Sequence, residues 1–260
     1  MPERRYNPLV CTLAIYFRHS ANLPLVVAAN RDEFYTRATA EPRLLAVQPW
    51  VFGGQDLEAG GTWFGVNERL TVVGLLNRRS TAGPDPTRRS RGLLCLEALQ
   101  RGTPAEIVEW LATLTPTHYN HFNLLAANAA QAFVAVNHGA RLSIVSLSPG
   151  LHVLTNADVD DLTCPRLARA HRLFARLSPD IRDASRLPPA LRPILADHEL
   201  GDHAHDPTAA LCVHTEAYGT RSSSIVALDS IASAWRYWHA PGPPCVTGYV
   251  EAQLPGAVAA

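Results

Sequence analysis

The chain has 260 residues, 47% hydrophobic and 18% charged, and its 23 basic and 23 acidic side chains balance to a formal net charge of zero. A chain of this length and composition folds as a globular protein and buries roughly 75% of the surface its unfolded form exposes. Zero net charge supplies no global field for nucleic acid or a membrane surface, and no apolar run reaches membrane-spanning length. Every cation other than histidine is arginine, so a catalytic lysine, a Schiff base and a P-loop lysine are excluded.

Residues 1–10 are polar, carry two prolines and read as an extension without a secretory cleavage pattern. Residues 11–17 and 25–29 read as strands joined by a turn at 20–24, which makes an antiparallel hairpin. The hairpin brings Cys11 to the same end as a block of four polar residues, Asn30 to Glu33. Side chains alternate faces along a strand, so either the strand stops at this block or some of these groups enter the core and need partners. Residues 36–49 read as loop and 50–53 as a short strand. Gly53-Gly54 and Gly60-Gly61 flank an acidic turn with Asp56 and Glu58, and a second hairpin at 62–66 and 70–76 ends on Asn77. Residues 78–91 read as a solvated loop rich in Pro, Gly and Arg, including Arg88, Arg89 and Arg91.

Helical spacing follows over 92–101, and Thr103-Pro104-Ala105-Glu106 is a capping box that starts a helix running to about 114. Four short strands are expected at 122–127, 132–136, 142–147 and 152–154, the last closed by Asn156. Helices are expected at 165–177 and 189–197, a final hairpin at 222–228 and 234–239, and a disordered tail over 241–260. Strands and helices in segregated blocks, with hairpin connections, argue an α+β domain over 11–240 built from two antiparallel sheets under two helical layers. The five cysteines, Cys11, Cys95, Cys164, Cys212 and Cys245, are scattered and odd in number. No pair has CxxC spacing, so neither a disulfide framework nor a zinc site is suggested, and a reducing cytoplasm fits. His198, His203 and His205 invite a metal reading, but their loop spacing is loose and no metal is assigned.

The stretches AANRDEFYTR at 28–37, GGQDLEAGGTWFGVN at 53–67, LLN at 75–77, LTN at 154–156 and YGTRSSS at 218–224 resemble the NRDE family, that of the transport and Golgi organization protein. The resemblance runs from Cys11 to about Trp238. It implies a fold like that of N-terminal-nucleophile hydrolases, a four-layer αββα sandwich, whose similar members include the cysteine amidases of the bile salt hydrolase and penicillin V acylase group. Carried onto this sequence, their pattern of an N-terminal Cys, an Arg and an Asp past the second strand, and two later Asn residues falls on Cys11, Arg31, Asp32, Asn77 and Asn156. The amidases have Arg-Asn-x-Asp where this chain has Asn30-Arg31-Asp32, and ten residues precede Cys11 here.

These residues suit amide hydrolysis. A nearby cation lowers a thiol pKa from about 8.5, and an N-terminal cysteine brings its own base, an α-amine with a pKa of about 7.7–8.0. Arg31 would hold the thiolate, Asp32 would orient the amine, and Asn77 would donate to the oxyanion, a contact worth about 2.7–4 kcal/mol. Asn156 would be a second donor, with Asn30, Trp63 and Arg221 as substrate-binding candidates. Each has a plainer alternative: a buried inert thiol at Cys11, turn residues at Asn77, Asn156 and Arg221, a core side chain at Trp63, and a loop-stabilising carboxylate at Asp56. With residues 1–10 attached, Cys11 has no basic amine. Self-cleavage at Val10-Cys11, or translation from a GTG codon at Val10, would expose it. The rival expectation, from the same resemblance, is a protein that binds and carries haem or an acyl ligand without hydrolysis. No cofactor is required on either reading, and the expected partner is a small amide, haem or an acyl compound.

Overall fold

A computed structural model describes residues 11–81, 83–177, 181–200 and 206–255. The extension at 1–10, His203, His205 and the last five residues of the expected tail lie outside them.

The strands in chain order are β1 (Thr12–Phe17), β2 (Leu25–Phe34), β3 (Thr39–Val47), β4 (Trp50–Asp56), β5 (Phe64–Asn67), β6 (Val72–Asn77), β7 (Phe122–Ala127), β8 (Ala132–Asn137), β9 (Leu142–Ser146), β10 (Gly150–Leu154), β11 (Tyr218–Asp229), β12 (Ala234–Ala240) and β13 (Val250–Glu251). The helices are α1 (Arg91–Arg101), α2 (Pro104–Ala112), α3 (Pro165–Phe174) and α4 (Leu187–Leu195). The strands form two antiparallel sheets, one ordered β10-β1-β2-β11-β12-β13 and the other running β3 to β9 in sequence.

Alternation along the strands explains the layering. On β1, Leu13, Ile15 and Phe17 point into the core between the sheets, where they meet Phe64, Val72 and Leu125. Ala14 and Tyr16 point the other way, onto Leu167 and Phe174 of α3 and Leu191 of α4. On the second sheet, Val73, Leu75 and Leu124 face outward onto Leu94 and Leu99 of α1 and Ile107 and Leu111 of α2. Both faces of each central strand are therefore covered, so the strands read as continuous apolar runs with period-two patterning hidden inside them. This is the expected α+β, four-layer αββα sandwich. The capping box forms as expected: Thr103 Oγ1 accepts from the Glu106 backbone N–H, and Glu106 accepts from the Thr103 backbone N–H at 2.7 Å.

Three expectations are corrected. First, β2 does not stop at Ala29; it runs through the polar block to Phe34, because β11 pairs with it along that length and supplies partners for the buried polar side chains. Second, residues 39–47 are strand β3. It lies at a sheet edge with register shifts on both sides of Leu44, where an edge position leaves room for Pro42, which cannot donate to a ladder. Third, the described part of the expected tail is packed. Its strand β13 pairs with β12, Glu251 accepts from Arg236 at 2.6 Å, and the Tyr249 hydroxyl lies 2.6 Å from Ser223 Oγ. Among the described residues, no helix is long and apolar enough to cross a membrane.

Candidate functional site

The site grows out of the polar end of β2. Asn30 and Asp32 face α3 and α4, whereas Arg31 and Glu33 face the space between the sheets. Asn30 Nδ2 donates to the Leu195 and Leu211 carbonyls, at 2.8 and 2.9 Å, so this side chain ties two loops to the sheet on the helix side. Asp32 is fully enclosed: Arg166 Nη2 donates to Oδ2 at 2.7 Å, and the Thr220 hydroxyl donates to Oδ1 at 2.6 Å. Burial raises the Asp32 pKa and the Arg166 guanidinium offsets part of the rise, so that it stands at about 6, an ionised carboxylate at neutral pH. Arg166 also donates twice to Thr12 Oγ1, at 3.0 and 2.8 Å. Sequence reasoning missed Arg166, a helical residue 134 positions from its partner and without a motif around it. Its local signal was its place one and two turns before Ala170 and Phe174, on the buried face of an amphipathic helix.

On the inter-sheet side, Cys11, Arg31, Trp63 and Asn77 line one cleft of about 440 Å³. Extending the β1–β2 register by one residue sets Cys11 opposite Arg31, as the hairpin requires. The Cys11 thiol donates to the Asp32 carbonyl at 3.7 Å. Burial pushes this thiol up to about 12, the Asp32 charge adds to the rise, and Arg31 offsets only part of it, so the group is a neutral thiol at physiological pH. The Arg31 guanidinium lies 4.1 Å over the Trp63 ring, and its Nη1 is buried without a hydrogen-bond partner among the described residues. Glu33, 3.6 Å away, is its carboxylate neighbour. Trp63 in turn sits against Gly54, where an added Cβ would lie 2.5 Å from the ring; this is why a glycine stands there.

Asn77, at the end of β6, makes no hydrogen bond through its carboxamide to any described residue, so its N–H groups are available to a ligand. A smaller space of about 20 Å³ shares Cys11, Arg31 and Trp63 with this cleft. Arg91 belongs to this wall and not to a solvated loop: it opens α1, is half-buried, and donates to the His121 carbonyl at 2.9 Å. Asp56 caps the glycine-flanked turn by accepting from the Glu58 and Ala59 backbone N–H groups and from Arg37.

Asn156 and Arg221 lie beside the cleft and do not line it. Two residues beyond the Leu13–Leu154 pair, the β1–β10 register sets Asn156 opposite Cys11; its Oδ1 is buried without a partner among the described residues. Arg221 occupies the register shift of β11, donates to the Tyr35 carbonyl at 3.1 Å, and keeps a buried Nε without a partner among the described residues.

A second cluster lies on the helix side. His198, Cys212, His214 and Cys245 bring one ligand atom each to within 4.8 Å of one another. Three segments supply them, and the two cysteines are 33 residues apart, so a search for CxxC spacing could not find the group. The expectation of no zinc site, which rested on that spacing, is therefore reopened by the structure.

A family model described as TANGO2, Transport and Golgi organisation 2, matches residues 10–235. The Bos taurus Transport and Golgi organization protein 2 homolog is 30% identical over 244 residues, covering 79% of this chain and 82% of the bovine one. Penicillin V acylase from Agrobacterium tumefaciens shares the fold with a TM-score of 0.58 at 14% identity, over 89% of this chain and 83% of that one. The Caenorhabditis elegans N-acylethanolamine-hydrolyzing acid amidase ortholog does so with a TM-score of 0.56 at 16% identity, over 83% of this chain and 92% of that one. The sandwich is thus of the N-terminal-nucleophile hydrolase type.

Proposed function

The chain belongs to the Transport and Golgi organisation 2 family, and from that premise we propose that it is a cysteine amidohydrolase for a small linear acyl amide, with Cys11 as nucleophile once residues 1–10 are gone. The observation that carries this reading is the meeting of Cys11, the Trp63-stacked Arg31 and the free carboxamide of Asn77 on one cleft. Its volume of about 440 Å³ suits a small molecule.

The neutral thiol needs a base. Among the described residues lining the cleft there is no histidine, and both Asp32 oxygens are engaged on the far side of the strand. The α-amine of a first-residue Cys11 fills that role. It takes the thiol proton as Sγ bonds to the amide carbon, and Asn77 donates to the oxyanion. The proton passes to the leaving amine as the C–N bond breaks. Water then attacks the thioester, releasing a carboxylic acid and restoring the thiol. Arg31, with a donor left over, attracts a carbonyl or carboxylate of the ligand.

One observation favours a second reading, binding of an acyl compound or haem without turnover: in the chain as written, Cys11 carries an amide nitrogen and no amine. The same cleft would then serve as a carrier pocket, its Arg31 and Arg91 facing a carboxylate. Free thiols throughout the described residues support a reducing compartment such as the cytoplasm for either role.

The test compares the full chain, a chain released from a fusion so that Cys11 bears a free amine, and its Cys11→Ala variant. Amine release is followed from N-acyl amides of graded chain length. Turnover confined to the free-amine form supports the hydrolase. No turnover in that form, with saturable binding of haem or an acyl ligand that is weakened in Arg31→Met, supports the carrier.

A further inference from the structure

We propose that His198, Cys212, His214 and Cys245 form a closed tetrahedral site for zinc, separate from the Cys11 cleft, which clamps the C-terminal segment onto the first sheet. The distances are those of ligand atoms around an ion. With Zn–S of about 2.3 Å and Zn–N of about 2.0–2.1 Å, tetrahedral angles set sulfur–sulfur edges near ~3.8 Å and sulfur–nitrogen edges near ~3.6 Å. Cys212 Sγ to Cys245 Sγ is 3.8 Å, Cys212 Sγ to His214 Nε2 is 3.6 Å, and Cys245 Sγ to His214 Nε2 is 3.4 Å. The His198 ring stands 5.0 Å from the His214 ring, and its Nδ1–H donates to the Cys212 carbonyl at 3.0 Å. That bond fixes the His198 tautomer and leaves Nε2 as its lone-pair nitrogen, the outer-shell arrangement metal-ligating histidines use.

The donor set selects the metal. Two thiolates and two neutral imidazoles in a tetrahedron suit zinc, whose double charge the thiolates cancel. On binding, Cys212 and Cys245 each give up the thiol proton, and each sulfur and each histidine nitrogen donates an electron pair to the ion. Four protein ligands leave no open position, so the site is structural.

Its place in the fold fits a clamp. His198 follows α4, Cys212 and His214 precede β11, and Cys245 lies beyond β12. Asn30 already joins the first two segments through the Leu195 and Leu211 carbonyls. Between the two ligands at 212 and 214, the Val213 backbone N–H donates to Thr220 Oγ1 at 2.9 Å, and that hydroxyl donates to Asp32. The clamp therefore also holds the loop that orients the Asp32 partner.

The experiment uses the untagged full chain purified without chelator and measures zinc by elemental analysis. The expected result is one zinc per chain, lost in Cys212→Ser and in Cys245→Ser and retained in Cys11→Ser. Should the serine variants misfold, cobalt titration of the metal-stripped wild-type chain decides, since two thiolates on cobalt give an intense near-ultraviolet charge-transfer band and tetrahedral visible bands. Two protons released per ion bound would support the stoichiometry. Zinc absent from the wild-type chain after equilibration with zinc, zinc unchanged in the serine variants, no thiolate band with cobalt, or a Cys212–Cys245 disulfide in a thiol-blocked peptide map would each overturn it. None of these outcomes depends on whether Cys11 hydrolyses anything.

Discussion

Replacing Arg166 by methionine removes the one cation that, among the described residues, pairs with Asp32 on its buried side. Arg166 and Asp32 side chains are 4% and 0% exposed, so neither has water as an alternative partner. The substitution keeps most of the side-chain volume but strands the carboxylate and leaves Thr12 Oγ1 without its two donors. Breaking a buried pair by removing one member costs about 3–5 kcal/mol, a large part of a domain's total of about 5–15 kcal/mol. The loss must depend on pH. With Arg166 in place the folded Asp32 pKa is about 6, above its ordinary 3.8, so the fold takes up a proton more readily than the unfolded chain. Removing the cation raises the folded value further. The stranded charge then costs most at pH 7.5 and less at pH 5, where the carboxyl is protonated in the fold. Urea unfolding of the wild-type chain, Arg166→Met, Asp32→Asn and the double variant at both pH values measures this. The double variant is expected to lose less than the two single losses added together. An equal loss for Arg166→Met at pH 5 and pH 7.5, or strict additivity in the double variant, would refute the pairing.

Gly54→Ala places a Cβ 2.5 Å from the Trp63 ring and should drive the ring off Arg31, read as a shift in tryptophan emission and weakened ligand binding with the rest of the fold retained. Burial holds the His239 pKa down at about 4 against an ordinary 6.5. Its neutral form therefore contributes stability that is fully present above pH 6.5 and lost as pH falls toward 4, about 3 kcal/mol in all. His239→Gln should flatten that limb of the stability–pH profile, and an unchanged slope would count against the assignment. Thr103→Ala removes the side-chain half of the α2 capping box, the Thr103 Oγ1 that accepts from the Glu106 N–H, and should cost about 1 kcal/mol in thermal or urea unfolding, without touching the cleft.

Much of the architecture was legible because it rests on local periodicity. The short apolar runs of β1, β7 and β8, bounded by turns, and the capping box of α2 state their own conformation within a few residues of chain. The hairpin of β1 and β2 likewise brought Cys11 and Arg31 together on connection length alone. The edge strand β3 was hidden by Pro42, a residue whose meaning depends on whether a neighbour needs its missing N–H. The fate of Asn30 to Glu33 was left open between two outcomes, since only the presence of β11 alongside allows a polar strand to continue into the core.

Local chemistry in the sequence, then, determined most of the strands and helices, though not β3, β13 or the far end of β2, and that a hairpin brings a thiol to the end of the strand that carries Arg31. Tertiary structure alone decided which face each polar side chain takes, that Arg166 pairs with Asp32, that Asn77 lines the cleft with no carboxamide partner among the described residues, and that His198, Cys212, His214 and Cys245 meet. The physical reason is the range of the interactions. Alternation and capping act between residues a few positions apart, whereas buried charges and ligand clusters draw their partners from segments tens to more than a hundred residues away, which only the stacking of two sheets and two helical layers brings within bonding distance.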